Sequence, residues 1–260
     1  MDIYISLLAI IFGLIIGSFL NCLIWRLYQD ESLGGRSYCP QCRGPIAWYD
    51  NIPLLSFFLL AGRCRRCQRP ISWQYPLVEL ATAILFWLVF RLHAGVFYGP
   101  GLEGMTPLIR DLVIAVFLIV IFVYDFRWQL VPLPFVWLMS VFVLILNLII
   151  GIPWQMELLY GAIGGAFFLI QFILTKKRGV GEGDIWLGVW LGLAFPGWGW
   201  LLLIMVTSYG IGSLTGLALL VSGRKKWKSA IALGPFLASG ALIALIFGEK
   251  IINWYFGLLY

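Results

Sequence analysis

Two aspartates sit where long apolar runs give way to polar sequence. Asp125 closes the run Leu112–Tyr124, and Asp184 ends the tetrapeptide Gly181-Glu182-Gly183-Asp184, between the bases Lys176-Lys177-Arg178 and a further apolar run. A carboxylate near hydrocarbon costs roughly 2.5–3.5 kcal/mol at a helix centre, so it is usually there for a reason. Two of them on one face of a membrane can share a proton: one activates a water while its partner donates a hydrogen bond. The plainer alternative is that each snorkels to the interface or pairs with a base such as Arg127.

A second group of reactive side chains lies in the one sizeable polar segment, from about Tyr28 to Trp73. It holds Cys39-Pro-Gln-Cys42 and Cys64-Arg-Arg-Cys67, two CxxC pairs separated by 21 residues. Two such pairs make a tetrahedral four-sulfur site for zinc. Two disulfides are the competing arrangement, and a redox CxxC would need a βαβ pattern that this segment lacks. Four thiolates close the coordination shell, so the expected zinc is structural, and metal binding supplies the folding energy of a loop with few aliphatics. Cys22 lies inside the first apolar run and reads as a small buried thiol. His93 is the only histidine, which excludes an HExxH metal site; its place at the far end of the second run excludes a Ser-His-Asp arrangement as well. There is no Gly-rich phosphate loop of the Walker type.

The elements that must position these groups are membrane spans. Of the 260 residues 62% are hydrophobic and only 12% charged, against about 25% charged in an ordinary soluble domain. Apolar runs near residues 3–26, 74–92, 108–125, 132–152, 155–175, 184–196, 199–222 and 230–247 predict an all-α polytopic membrane protein of about eight transmembrane helices with a small cytoplasmic zinc-binding loop. The sixth run is short and suits a tilted or re-entrant helix; the tail 251–260 extends the eighth span or lies in the interface. The expected organisation is a first transmembrane helix over 1–27, the zinc-binding loop over 28–73 and a transmembrane core over 74–260. No cleavable signal peptide is expected, because the first run lacks a basic leader and continues into Asn21 and Arg26.

A net charge of +6 is compatible with nucleic-acid binding, but its distribution points elsewhere. With the N-terminus outside, only Arg91, Arg110 and Lys250 fall on the outer side, leaving fifteen of the 18 bases in cytoplasmic segments. That orientation puts Asp125, Asp184 and the cysteine loop on the cytoplasmic side, where disulfides rarely persist. Arg43, Arg63, Arg65, Arg66 and Arg69 surround the thiols and can attract lipid headgroups or an acidic partner, or form a solvated basic face. Gly13 with Gly17, Gly161 with Gly165, and Gly212 with Gly216 have the spacing of close helix packing. Ser18 and Asn21 suit interhelical hydrogen bonds or a share in a substrate groove. Glu79 can pair with a loop arginine or line a cofactor site, and Glu182 suits solvent.

Taken together, these residues resemble one family, the type IV prepilin leader peptidases/N-methyltransferases. The resemblance runs through Gly13-Leu-Ile-Ile-Gly17-Ser-Phe-Leu-Asn21, Arg26-Leu27, Cys39-Pro-Gln-Cys42, Trp48-Tyr-Asp-Asn-Ile-Pro-Leu-Leu-Ser56, Gly62-Arg-Cys64 with Cys67, and Tyr75-Pro-Leu-Val-Glu79. It continues at Asp125 with Pro132, at Gly181–Asp184, and at Gly234-Pro-Phe-Leu-Ala238. It implies an aspartic endopeptidase of the GxGD type in the bacterial inner membrane, with Asp125 and Asp184 as its catalytic pair. It also implies prepilin or pseudopilin substrates of a type IV pilus or protein-secretion system, cut after a glycine on the cytoplasmic side. S-adenosylmethionine would supply the methyl group for the new N-terminal residue, with Gly62 and Arg63 as candidate contacts and Cys39, Cys42, Cys64 and Cys67 as the zinc ligands. Two positions depart from the family pattern: Trp186 stands where a lysine is usual, and Leu133 follows Pro132 where an acid is usual. Both bear on substrate affinity. The rival readings are a transporter using intramembrane carboxylates as a proton relay and a non-catalytic membrane scaffold with a zinc loop.

Overall fold

The computed structural model describes residues 3–97, 105–176, 179–223 and 231–257, and every predicted apolar run forms a helix there. They are α1 (Ile3–Gln29), a five-residue α2 (Leu55–Leu59) in the polar loop, α3 (Gln74–Leu92), α4 (Met105–Trp128), α5 (Leu133–Ile150), α6 (Trp154–Leu174), α7 (Glu182–Ala194), α8 (Trp198–Val221) and α9 (Gly234–Gly257). No strand occurs among the described residues. Among the described residues seven helices are long and apolar enough to cross a membrane. The sixth run forms α7, which at 13 residues is the exception in length. The tail extends the last span as far as Gly257. Lys177, Arg178, Arg224, Lys225, Lys226 and Lys228, part of the charge asymmetry, lie outside the described residues.

The chain divides into two units, Met1–Pro100 and Gly101–Tyr260. In the first, α1 packs along α3. Glycine permits that approach: a Cβ on Gly13 would fall 2.6 Å from the Ala83 Cα, and one on Gly17 would fall 2.7 Å from the Glu79 Cα. One polar group of α1 also serves this packing, and another folds the loop that follows. Asn21 Nδ2 donates to the Tyr75 carbonyl at 3.0 Å. Arg26, buried at the end of α1, donates to the carbonyls of Leu33, Gly34 and Arg36 and so folds the chain leaving the helix back onto its own end.

In the second unit α7 is the central helix. Eight of its 13 residues are buried, whereas the longer α8 buries only Leu201, Ile204 and Ser208 and leaves Leu202, Val206, Leu214 and Leu217 exposed, as lipid contact requires. Helix α6 lies directly on α7: a Cβ on Gly164 or Gly188 would overlap the other's backbone carbonyl, and one on Gly165 would meet Val189 at 2.6 Å. On the opposite side Trp190 stacks on Phe117 of α4 with ring centroids 3.8 Å apart, and Phe117 stacks on Phe135 of α5 at 5.7 Å. The third glycine pair behaves differently. Gly212 meets only the Phe236 ring at an ordinary 3.4 Å and Gly216 only Ile231 at 3.8 Å, because large side chains fill that space.

Candidate active site and metal centre

Asp125 lies in the last turn of α4, where its backbone carbonyl accepts the Gln129 amide at 2.8 Å; Gln129, with φ +54°, turns the chain out of the helix. The side chain is 5% exposed, and its Oδ2 accepts the backbone amide of Gly234 at 2.8 Å. Gly234 opens α9, so this donor is one of the amides that a helix start leaves without an intrahelical partner. A Cβ there would fall 2.4 Å from Asp125 Oδ2, so glycine at this position leaves the carboxylate its place.

Asp184 sits at the third position of α7 and is 9% exposed. Its Oδ2 accepts the amide of Gly181, the residue that caps the helix, at 2.9 Å. An acid in a first helical turn also meets the positive end of the helix dipole. Gly183 between them lets α7 approach the link after α4, because a Cβ would lie 2.6 Å from the Val131 side chain. Each carboxyl group thus has one oxygen fixed by a backbone amide, and Asp184 is close enough to act electrostatically on Asp125.

The neighbours sort themselves around this pair. Arg127, the base available in sequence, lays its guanidinium over the Trp128 ring at 4.9 Å. Glu182 is exposed. Trp186 packs edge-on against Trp137 of α5, with ring centroids 5.7 Å apart, so an aromatic contact occupies the position where the family usually has a base. Sequence reasoning missed Tyr209 of α8, which is within electrostatic range of Asp184 and donates to Gln171 Oε1 at 2.9 Å. It lies inside an apolar run and carries no motif.

In the first unit the four cysteines converge. The Sγ atoms of Cys39, Cys42, Cys64 and Cys67 all lie within 4.8 Å of one another, and those of Cys39 and Cys67 are 3.9 Å apart. A tetrahedral zinc with Zn–S near 2.3 Å separates its sulfurs by about 3.8 Å, so the donor set fits. Both pairs are built alike. Cys39 N donates to the Gly44 carbonyl at 3.0 Å and Cys64 N to the Arg69 carbonyl at 2.9 Å. The residue after each pair, Arg43 and Gln68, turns with φ +54° and +57°. The shared sequence Cys-x-x-Cys-x-x-Pro-Ile, at 39–46 and 64–71, carries this repeat, of which the sequence reading took only the cysteines.

Charged groups brace the loop. The Tyr38 hydroxyl and the Arg43 guanidinium hold the Glu31 carboxyl below its ordinary range, and Arg65, bidentate on Asp50, does the same there. Rather than a loop arginine, Glu79 takes the Leu54 amide on Oε2 at 2.7 Å, holding Leu54 at φ +59°, and the Ser18 hydroxyl on its carboxylate. Ser18 also lines a cavity of about 420 Å³ with Cys22, Arg26, Ser37 and Asn51. Gly62, at φ +66°, donates its amide to Phe57 and accepts that of Ile71, so it forms the turn into the second cysteine pair; Arg63 is exposed beside it.

Comparison with known proteins agrees with this arrangement. A family model for the bacterial peptidase A24 N-terminal domain matches residues 11–93, and one for the type IV leader peptidase family matches residues 112–220. The prepilin leader peptidase/N-methyltransferase of Aeromonas hydrophila is 35% identical over 97% of this chain and 94% of its own length. The protein of the same name from Bacillus subtilis is 33% identical over 94% and 95%, and that from Klebsiella pneumoniae 39% identical over 69% and 82%. No solved structure matches the chain. With likeness of this degree extending over nearly the full length of both proteins, the chain belongs to the type IV prepilin leader peptidase/N-methyltransferase family.

Proposed function

We propose that this chain is a membrane aspartic endopeptidase that removes the leader from prepilins or pseudopilins and N-methylates the residue so exposed. Asp125 and Asp184 are the catalytic pair. The observation that carries this reading is the pair itself: two buried carboxyl groups in one unit, within electrostatic reach, each held by a backbone amide.

The chemistry follows from a pair that shares one proton. The ionised aspartate takes a proton from water as it attacks the scissile carbonyl, and the protonated partner donates to the carbonyl oxygen. A tetrahedral diol forms. Its collapse breaks the C–N bond: the proton now on the first aspartate passes to the leaving amine, while one diol hydroxyl returns its proton to the second aspartate and restores the pair. The Gly234 and Gly181 amides keep both carboxyl groups oriented throughout.

Cys39, Cys42, Cys64 and Cys67 hold zinc, which in a closed four-thiolate shell supplies folding energy. S-adenosylmethionine supplies a methyl group when bound. Gly62 spends its backbone groups on its turn, which leaves the exposed Arg63 guanidinium as the group that can meet a donor's carboxylate. The active site faces the cytoplasm from the bacterial inner membrane, a reading supported by the clustering of bases in the segments after alternate spans. The partners are prepilin-type substrates and membrane lipid, with no nucleic acid. The first helix, the zinc loop and the remaining spans form the three functional parts, 1–27, 28–73 and 74–260.

The test is to incubate the purified chain with a prepilin and labelled S-adenosylmethionine. Leader removal with methyl incorporation into the product is expected, and neither occurring would overturn the reading.

A further inference from the structure

Helix α7 has two ends, and only one carries the aspartate. Its 13 residues span about 20 Å, short of the roughly 30 Å of hydrocarbon in a bilayer. A helix that stops inside hydrocarbon leaves terminal carbonyls that only other protein groups can satisfy. The far end of α7 has such a partner. Asn147, in the last turn of α5, donates from Nδ2 to the Leu193 carbonyl at 2.9 Å, and Glu157, in the first turn of α6, sits beside it with Oε2 3.4 Å from the same nitrogen. Both side chains have no exposure.

We propose that Asn147 and Glu157 are positioning residues for Asp184: they anchor the C-terminal end of α7 inside the membrane and thereby set the register of the helix that presents the aspartate. The inference rests on the assignment of Asp184 to catalysis. Three features carry it. The turn Gly151–Pro153, with Gly151 at φ +93°, brings the last turn of α5 and the first of α6 together around the end of α7. Sliding of α7 along α6 is limited by the same glycine contacts that bring the two backbones together, so an anchor at Leu193 acts on Asp184 about 14 Å away through a rigid helix. Finally, Asn147 Oδ1 and Glu157 Oε1 are both buried with no partner among the described residues. Both oxygens call for a donor, and a protonated carboxyl or a carboxamide at position 157 brings one to this place. An aliphatic side chain there does not.

The test uses the full chain in detergent with a prepilin, and separately with a pilin already lacking its leader. Asn147→Leu should lower kcat for leader removal at least tenfold, with KM and methyl transfer to the leaderless pilin within twofold of the parent. Glu157→Leu should behave likewise, while Glu157→Gln retains kcat within threefold. Hydrogen exchange of the segment 190–197 should accelerate in Asn147→Leu and not in Glu157→Gln. Unchanged kcat and exchange in Asn147→Leu would overturn the inference, and so would a common loss of cleavage, methylation and melting temperature, which marks a merely structural role. If Asn147→Leu does not fold, Asn147→Ala is scored by the same criteria, and failure of both to fold also overturns it. Lack of cleavage by the unaltered chain overturns the catalytic assignment instead, leaving the exchange measurement to judge the anchor.

Discussion

At the scale of single residues, backbone amides do the work expected of charged partners. Asp125 has Arg127 two positions away in sequence, yet its oxygen is held by an amide 109 residues further along the chain. Because a Cβ at position 234 would overlap that oxygen, Gly234→Ala should displace the carboxyl group and lower kcat for leader removal at least about tenfold. The melting temperature should stay close to the parent's, and full activity in this variant would show that the contact does not matter. Trp186 makes a different prediction. It sits against Trp137 and is partly exposed, one helical position beyond the residue that follows Asp184. Trp186→Lys restores the family's usual base and should change KM for prepilin by several-fold while leaving kcat close to that of the parent, since the side chain carries no proton-transfer role.

At the scale of elements, α7 shows what patterns in a sequence convey and what they omit. The spans were legible because each is a long apolar run, and the pairs Gly13/Gly17 and Gly161/Gly165 announced close packing that the structure contains. Gly188 and Gly192 do as much for the α6–α7 contact from the facing helix and carry the same GxxxG spacing, a signal the sequence reading passed over. Asn147 and Glu157 stand at the ends of apolar runs, where a polar residue reads as an interface group; their burial depends on the turn that folds α6 back along α5. The third glycine pair had the spacing without the contact, because spacing reports a helix face and not what fills the space opposite. A Cβ on Gly192 would overlap the Tyr160 carbonyl, so Gly192→Ala should cost about 1–3 kcal/mol by overpacking. Thermal unfolding in detergent reads this as a lowered melting temperature with unchanged zinc content.

At the scale of the whole molecule, each of the two units carries its own chemistry: thiolates in Met1–Pro100 and carboxylates in Gly101–Tyr260. The protein should contain about one zinc per chain, measurable by elemental analysis. Replacing Cys64 with serine should remove the metal and reduce methyl transfer more than leader removal, because a closed thiolate shell offers nothing to hydrolysis; equal methylation by this variant and the parent would detach the loop from methyl transfer. The central claim, that Asp125 and Asp184 together cleave the leader, is tested most directly by Asp125→Asn and Asp184→Asn, assayed on a prepilin and on a leaderless pilin side by side. Each should lose leader removal by a factor of about 10² to 10⁴ while remaining zinc-loaded and still methylating the leaderless pilin. Cleavage by either variant at a rate close to that of the unaltered enzyme would contradict the account.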